Sequence, residues 1–282
     1  MKIGIFKGVS RFSAVVESFY QGLEAHGIPY DKLRYNLPNI NEYYDVLVCS
    51  GFESAFRLKE VGVARHIVVI DACFINDYRI SEYNKRRMSS FTLCCLDNSN
   101  RAQYGNDNSP PDRWQLHGYQ SLLEEWSGGD YVLLTMQAPW DAVFRKTKTN
   151  YEKIAKQIRD LGFDVRIRPH PTFKRAIVEG YEMIDLGKES IYESCKNALA
   201  TVTVTSTSSI DSIFAGTPAV TLDSRSIARP VSMHSIDCLK NINYPDIQQW
   251  TYNLAYCQWS LDELARGETW EHFSKKLFPT TI

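Results

Sequence analysis

Two periods of hydrophobic and polar positions alternate along this chain. Short apolar runs of strand length give way to stretches with apolar residues at helical spacing. "KIGIF" near the amino terminus is such a run, and "AVVESFYQGLEAHG" follows with helical spacing and closes on Gly27. The same alternation continues through "YDVLVCSG", the helical "ESAFRLKEVGV", "HIVVID" and "SFTLCCLD". These runs are apolar on both faces, which predicts a parallel sheet covered by helices. Residues 97–129 break the pattern. "DNSNRAQYGNDNSPPDRW" is turn chemistry, and a domain boundary is expected near "WSGGD" at 126–130.

A second alternating series starts there. "YVLLTMQ" predicts a strand and "NYEKIAKQIRDLG" an amphipathic helix ending at Gly162. "DVRIRPHP" predicts a strand that Pro169 and Pro171 terminate. "SIYESCKNA" predicts a helix capped by Ser190, and "TVTVT" and "AVTLD" predict two further strands. The tail "WTYNLAYCQWSLDELARGETWEHF" predicts two helices, with "SLDE" at 260–263 as a capping box. Trp250, Leu254 and Trp259 are expected to pack against the body. The expected organisation is a Rossmann-like domain over 1–128, a second over 129–240, and carboxyl-terminal helices over 241–282. Two such α/β domains are expected to face each other across a cleft. Ligands bind beyond the carboxyl ends of the strands in sheets of this kind.

Composition narrows this picture little. The 282 residues are 44% hydrophobic, enough for a sizeable core, and a net charge of −1 favours neither nucleic acid nor membrane on average. No run approaches the roughly 18 apolar residues of a membrane span, and "MKIGIFKG" lacks the apolar region of a signal peptide. A cytoplasmic protein is expected. The seven scattered cysteines form no CxxC pair and read as buried reduced thiols.

Five places carry candidate chemistry. In "RIRPHP" a strand delivers Arg166 and Arg168, then His170 between two prolines. An imidazole held there suits a phosphate, a sugar hydroxyl or acid catalysis, and equally well a loop carbonyl. In "TSTSSIDSIFAGTPAV" five of the six residues 205–210 carry hydroxyls where a strand meets a helix. Ser206, Thr207, Ser208 and Ser209 suit a phosphate at the helix amino end, though one of them would suffice as a cap. "MQAPWDA" ends a strand, so Asp141 is a candidate base or sugar ligand, or a simple helix cap. Residues 142–175 hold ten Lys or Arg against three Asp or Glu, which suits a polyanion or a solvated helix face. In the first half, Asp71, Asp77, Arg79, Asp112 and Arg113 are candidates to line an acceptor side, or to form loop ion pairs. No GxxxxGK[ST] or GxGxxG is present.

In their order, "QAPWD", "RIRPHP" and "TSTSSIDSIFAGTPAV" resemble the second domain of capsular-polysaccharide-type glycosyltransferases, over about residues 130–223. That group has the GT-B fold with a QxxxD segment, an HP motif and a Ser/Thr-rich motif. It includes the bacterial Kdo transferases, and bacterial sialyltransferases share the HP and Ser/Thr motifs. The first half and the tail resemble glycosyltransferase-like proteins of bacteriophages, some of which modify hydroxymethylated bases in DNA. The resemblance implies a metal-independent enzyme moving a sugar from a UDP- or CMP-sugar to an acceptor hydroxyl. It implies that His170, Arg168 and Ser206–Ser209 bind the donor phosphates and that Asp141 is the base. The acceptor it suggests is a hydroxymethylated base in double-stranded phage DNA, in the host cytoplasm, with a surface polysaccharide as the alternative. A UDP-sugar 2-epimerase and a non-enzymatic nucleotide- or DNA-binding module are the rival readings. The segment "QAPWD" departs from the group in carrying Trp140 where Gly is common.

Overall fold

The computed structural model describes residues 1–6, 12–34, 42–75, 91–96, 102–103, 106–138, 149–173 and 175–278. Elements are numbered in chain order. The first are β1 (Ile3–Phe6), α1 (Ser13–Ala25), β2 (Asp31–Leu33), β3 (Tyr44–Ser50), α2 (Phe52–Val61), β4 (Ala64–Ala72), β5 (Phe91–Leu96), β6 (Ala102–Gln103) and α3 (Asp112–Leu116). There follow β7 (Tyr131–Thr135), α4 (Tyr151–Asp160), β8 (Val165–Arg168), β9 (Glu182–Met183), α5 (Ile191–Lys196), β10 (Ala198–Thr203), α6 (Ser208–Phe214) and β11 (Ala219–Thr221). The chain closes with α7 (Gln248–Ala255), β12 (Gln258–Trp259), α8 (Leu261–Ala265) and α9 (Glu268–Leu277).

The chain forms two compact units. Unit 1 comprises Met1–Asn76, Glu82–Arg113 and Thr251–Ile282, and unit 2 comprises Asp77–Ser81 and Trp114–Trp250. The sequence pattern put the boundary at 126–130, but residues 124–127 are already fastened inside unit 2. Glu124 N–H donates to the Phe214 carbonyl at 2.9 Å and Ser127 N–H to the Gly216 carbonyl at 2.7 Å. Gly216 has φ +74, and a Cβ there would lie 2.0 Å from the Glu125 carbonyl oxygen. This glycine therefore does more than turn the chain, because the 124–127 segment passes through the space a side chain would fill.

The unit 1 sheet runs β12-β5-β4-β3-β1-β2, with β6 beside β5. Strands β1, β2, β3 and β4 are parallel, but β5 is antiparallel to β4, β6 and β12. The expected all-parallel sheet is thus mixed. Apolar character on both faces reports burial, which neighbours on either side impose whatever the strand direction.

The tail holds α7, α8 and α9 with the short strand β12, rather than two helices. Its last part joins the unit 1 core, where Trp259, Leu264, Trp270 and Phe273 pack with Ile3, Ile5, Val16 and Phe19. Helix α1 meets α8 at Gly22, where a Cβ would lie 2.1 Å from the Leu264 carbonyl oxygen. Both capping boxes, Ser190 with Glu193 and Ser260 with Glu263, form as their sequences indicate. Trp250, Leu254 and Trp259 are buried, and so are Cys49, Cys73, Cys195 and Cys257, all as free thiols. No helix among the described residues is long and apolar enough to cross a membrane.

A polar chain links His272, Asn106 and Cys257 within unit 1. His272 donates from Nε2 to Asn106 Oδ1, and Asn106 Nδ2 donates to Cys257 Sγ at 3.3 Å. The imidazole is pushed down to about 4, first by burial and then by the cations Lys276, Arg113 and Lys275, against the smaller pull of Asp112. A histidine depressed in the fold is neutral there when it is already protonated in the unfolded chain. Its contribution is therefore complete above about pH 6.5 and declines as pH falls towards 4. Urea denaturation should show unfolding free energy falling by about 2–3 kcal/mol from this group between pH 7 and 4.5. His272→Gln keeps a donor for Asn106 and should lose that part of the pH dependence. Identical profiles for the two proteins would overturn the assignment.

Candidate donor site at the carboxyl edge of the unit 2 sheet

The unit 2 sheet is parallel throughout, in the order β11-β10-β7-β8-β9. From central β7 the chain winds outward through β8 and β9, then returns to β10 on the other side. The junction of β7 and β10 is thus a topological switch point, where open α/β sheets leave a crevice beyond the carboxyl ends of the strands. The three sequence motifs follow β7, β8 and β10, so all three emerge on this edge.

Hydrogen bonds join the two sides of the switch. Thr205 N–H donates to Gln137 Oε1 at 3.1 Å, and Gln137 Nε2 donates to Thr205 Oγ1 at 2.5 Å. The Gln137 backbone N–H donates to the Tyr151 hydroxyl at 2.7 Å. One layer below, the buried hydroxyls of Thr135 and Ser208 meet at 2.8 Å. Neither the bracing role of Gln137, the first residue of QxxxD, nor that of Thr135 is marked by a sequence motif. Strand alternation was the available signal for Thr135, since it shares a face with Tyr131 and Leu133 and so points towards α6.

The hydroxyl-rich turn is more internally engaged than its composition suggests. Ser206 N–H donates to Thr203 Oγ1 at 3.3 Å, Ser208 N–H to Ser206 Oγ at 3.2 Å, and Ser209 Oγ to the Ser206 carbonyl at 2.8 Å. Ser208 and Ser209 are buried, Ser206 is half-buried, and Thr207 is exposed. Thr207 sits at the helix N-cap in αR conformation without capping the helix through its side chain. Ser208 and Ser209 therefore hold the turn, while Ser206 and Thr207 stand nearest the solvent.

His170 follows β8 as expected. Its Nδ1 accepts the Thr172 N–H at 3.2 Å and lies 2.7 Å from Thr172 Oγ1. A ring nitrogen that accepts a backbone N–H carries no proton, so the neutral imidazole bears its hydrogen on Nε2. Arg168 is placed otherwise than the motif suggested. Alternation along β8 turns it to the α5 face, where it is buried and its Nη1 donates to Ser194 Oγ at 2.8 Å and the Glu189 carbonyl at 3.1 Å. Burial pushes its guanidinium below the ordinary value. Arg166 on the same face lies over the Tyr131 ring and pairs with Glu182.

Other expectations fare differently. Asp141, Asp77 and Arg79 lie outside the described residues. Asp71, near the end of β4, accepts the Ala72 N–H at 2.7 Å. Arg113 takes the ion-pair alternative that its sequence left open, as one half of a buried pair with Glu263 at 2.7 Å. Four of the ten cations of the basic stretch, Lys156, Arg159, Arg166 and Arg168, are also engaged. Lys156 pairs with Asp160, and Arg159 donates to the Gly180 carbonyl and covers the Tyr181 ring. Among the described residues no group of three or more His, Cys, Asp or Glu side chains is arranged to hold a metal ion.

No family model matches the chain, and no curated protein matches it. Solved structures do. The beta Kdo 2,7 transferase of Thermosulfurimonas dismutans KpsC aligns over 96% of this chain and 100% of its own, at 12% identity and a TM-score of 0.53. The beta Kdo 2,4 transferase of the same KpsC aligns over 90% of both chains at 11% identity and a TM-score of 0.47. UDP-GlcNAc 2-epimerase from Methanocaldococcus jannaschii aligns over 97% of this chain and 99% of its own at 11% identity, with a TM-score of 0.32. The first of these likenesses establishes a GT-B-like α/β fold with Rossmann-like units.

Proposed function

We propose that this chain is a glycosyltransferase that binds a nucleotide-sugar donor at the carboxyl edge of the unit 2 sheet. One observation carries the reading: the β7/β10 switch point is braced by Gln137 and Thr205, with the Ser206–Thr207 turn and His170 on the same edge of a GT-B-like fold. His170 donates from Nε2 to a donor phosphate, and Ser206 and Thr207 add neutral hydroxyl donors. Ser208, Ser209 and Arg168 act one layer down by fixing the turn and the end of β8. Asp141 accepts the proton of the acceptor hydroxyl, whose oxygen attacks the anomeric carbon. The bond from that carbon to the phosphate oxygen breaks, and the departing nucleotide takes the electron pair. The donors at the edge meet the charge that develops on it, so the chemistry needs no metal.

The proposed donor is a UDP- or CMP-sugar. Duplex DNA has little support as the acceptor, because Lys156, Arg159, Arg166 and Arg168 already have partners within unit 2. A thermal-shift series with UDP, CMP, GDP and their sugars tests the donor site. The cognate nucleotide at a hundredfold excess over its Kd should add about 2.7 kcal/mol of stability. No shift with any of them sinks the transferase reading.

A further inference from the structure

Unit 1 repeats the winding of unit 2. From β1 the chain crosses to parallel β2 on one side and returns to parallel β3 on the other, so β1 and β3 frame a second switch point. Ser50 is the last residue of β3 and is 8% exposed. Its hydroxyl is buried with no hydrogen-bond partner. A buried hydroxyl without a partner carries a desolvation cost that a hydrogen bond to a ligand oxygen would offset.

Alternation fixes the direction in which this hydroxyl points. Val46 and Val48 pack in one cluster with Val15, Val16 and Phe19 of α1, and Ile70, the register partner of Ser50, belongs to the same cluster. Ser50 therefore faces the α1 side at the carboxyl edge, where the 13-residue helix α1 begins. That helix has Phe12 at its N-cap, whose side chain offers no oxygen, and no acidic residue in its first turn. Asp71 lies one residue beyond Ile70, so it falls on the opposite face of the sheet. Next to Ser50, Gly51 has φ +81, and a Cβ built on it would meet nothing within 4 Å.

We propose that the β1/β3 switch point of unit 1 is an oxyanion site, in which the Ser50 hydroxyl and the amino end of α1 take a phosphate or carboxylate group. A helix amino end presents N–H groups and positive potential to such a group, and the hydroxyl supplies one further donor. In the glycosyltransferase reading the anion belongs to the acceptor, and the inference rests on that reading only for this identity.

Backbone amide NMR on the full chain tests it, with sodium phosphate and sodium acetate titrated separately at constant ionic strength. Saturable shifts are expected at Ser50, Gly51 and Ser13–Val16. Saturation by phosphate alone assigns a phosphate group, saturation by acetate a carboxylate. Ser50→Ala should weaken the apparent affinity at least about tenfold, the loss of one hydrogen bond to a charged acceptor. Its thermal midpoint should hold or rise, since alanine removes a hydroxyl that has no partner. No saturable shift with either salt overturns the proposal, as does unchanged affinity in Ser50→Ala. Nucleotides that fail to stabilise the chain would end the donor reading and leave this site standing.

Discussion

Replacing Arg113 with alanine should lower the unfolding free energy by about 3–5 kcal/mol, the cost of leaving one partner of a buried ion pair alone. Arg113 and Glu263 are only 10% and 11% exposed at their side chains, and their atoms meet at 2.7 Å. The guanidinium also donates from Nη2 to the Gln258 carbonyl at 2.6 Å and lies 4.0 Å from the Trp259 ring centre. Glu263 meanwhile accepts Ser260 N–H at 2.8 Å as the third residue of α8. Burial alone would raise its carboxyl, but the bonds from Arg113 and Ser260 prevail and hold it below the ordinary range. Removing Arg113 strands that carboxylate beside the tail that α8 and α9 fasten to the unit 1 core. Arg113→Lys should recover only part of the loss, because an ammonium cannot reach Glu263, the Gln258 carbonyl and the Trp259 face together. Urea denaturation measures both, and a loss below about 1 kcal/mol for the alanine variant would contradict a buried pair.

Asp141→Asn should leave nucleotide-induced stabilisation intact and lower the transfer rate by about 10²–10⁴-fold, the usual contribution of a positioned base. The amide has the size and nearly the shape of the carboxylate, yet it cannot take the acceptor's proton. Asp141 lies four residues beyond Gln137, whose side chain is held from both ends by Thr205. That anchor fixes where the segment departs from β7. The loss should therefore appear in kcat, with the KM for donor little changed. Unchanged turnover would remove Asp141 from this role.

Much of the architecture was legible in the residues. Period and punctuation located the strands that end at Ser50, Thr135, Arg168 and Thr203. They also gave helix α4, its closing Gly162, and both capping boxes. These features depend on neighbours within a few positions, where side-chain spacing and local hydrogen bonds decide the outcome. The direction of β5 was not legible, because burial gives parallel and antiparallel strands the same apolar runs. Nor were the two-residue strands β6, β9 and β12, which are shorter than any period can mark.

The candidate site divides in the same way. By itself the sequence determined that hydroxyls, a proline-flanked histidine and a QxxxD segment follow three strands of one α/β series, and hence share a sheet edge. Tertiary structure alone decided which of those groups face that edge. It turned Arg168 inward to Ser194, committed Ser208 to Thr135, and left Ser206, Thr207 and His170 nearer the solvent. It also set Arg113 against Glu263, 150 residues away. Which polar group meets which depends on the winding of the sheet and the alternation of side chains across it. A carboxylate buried by distant packing claims the nearest cation, and no spacing along the chain records that encounter.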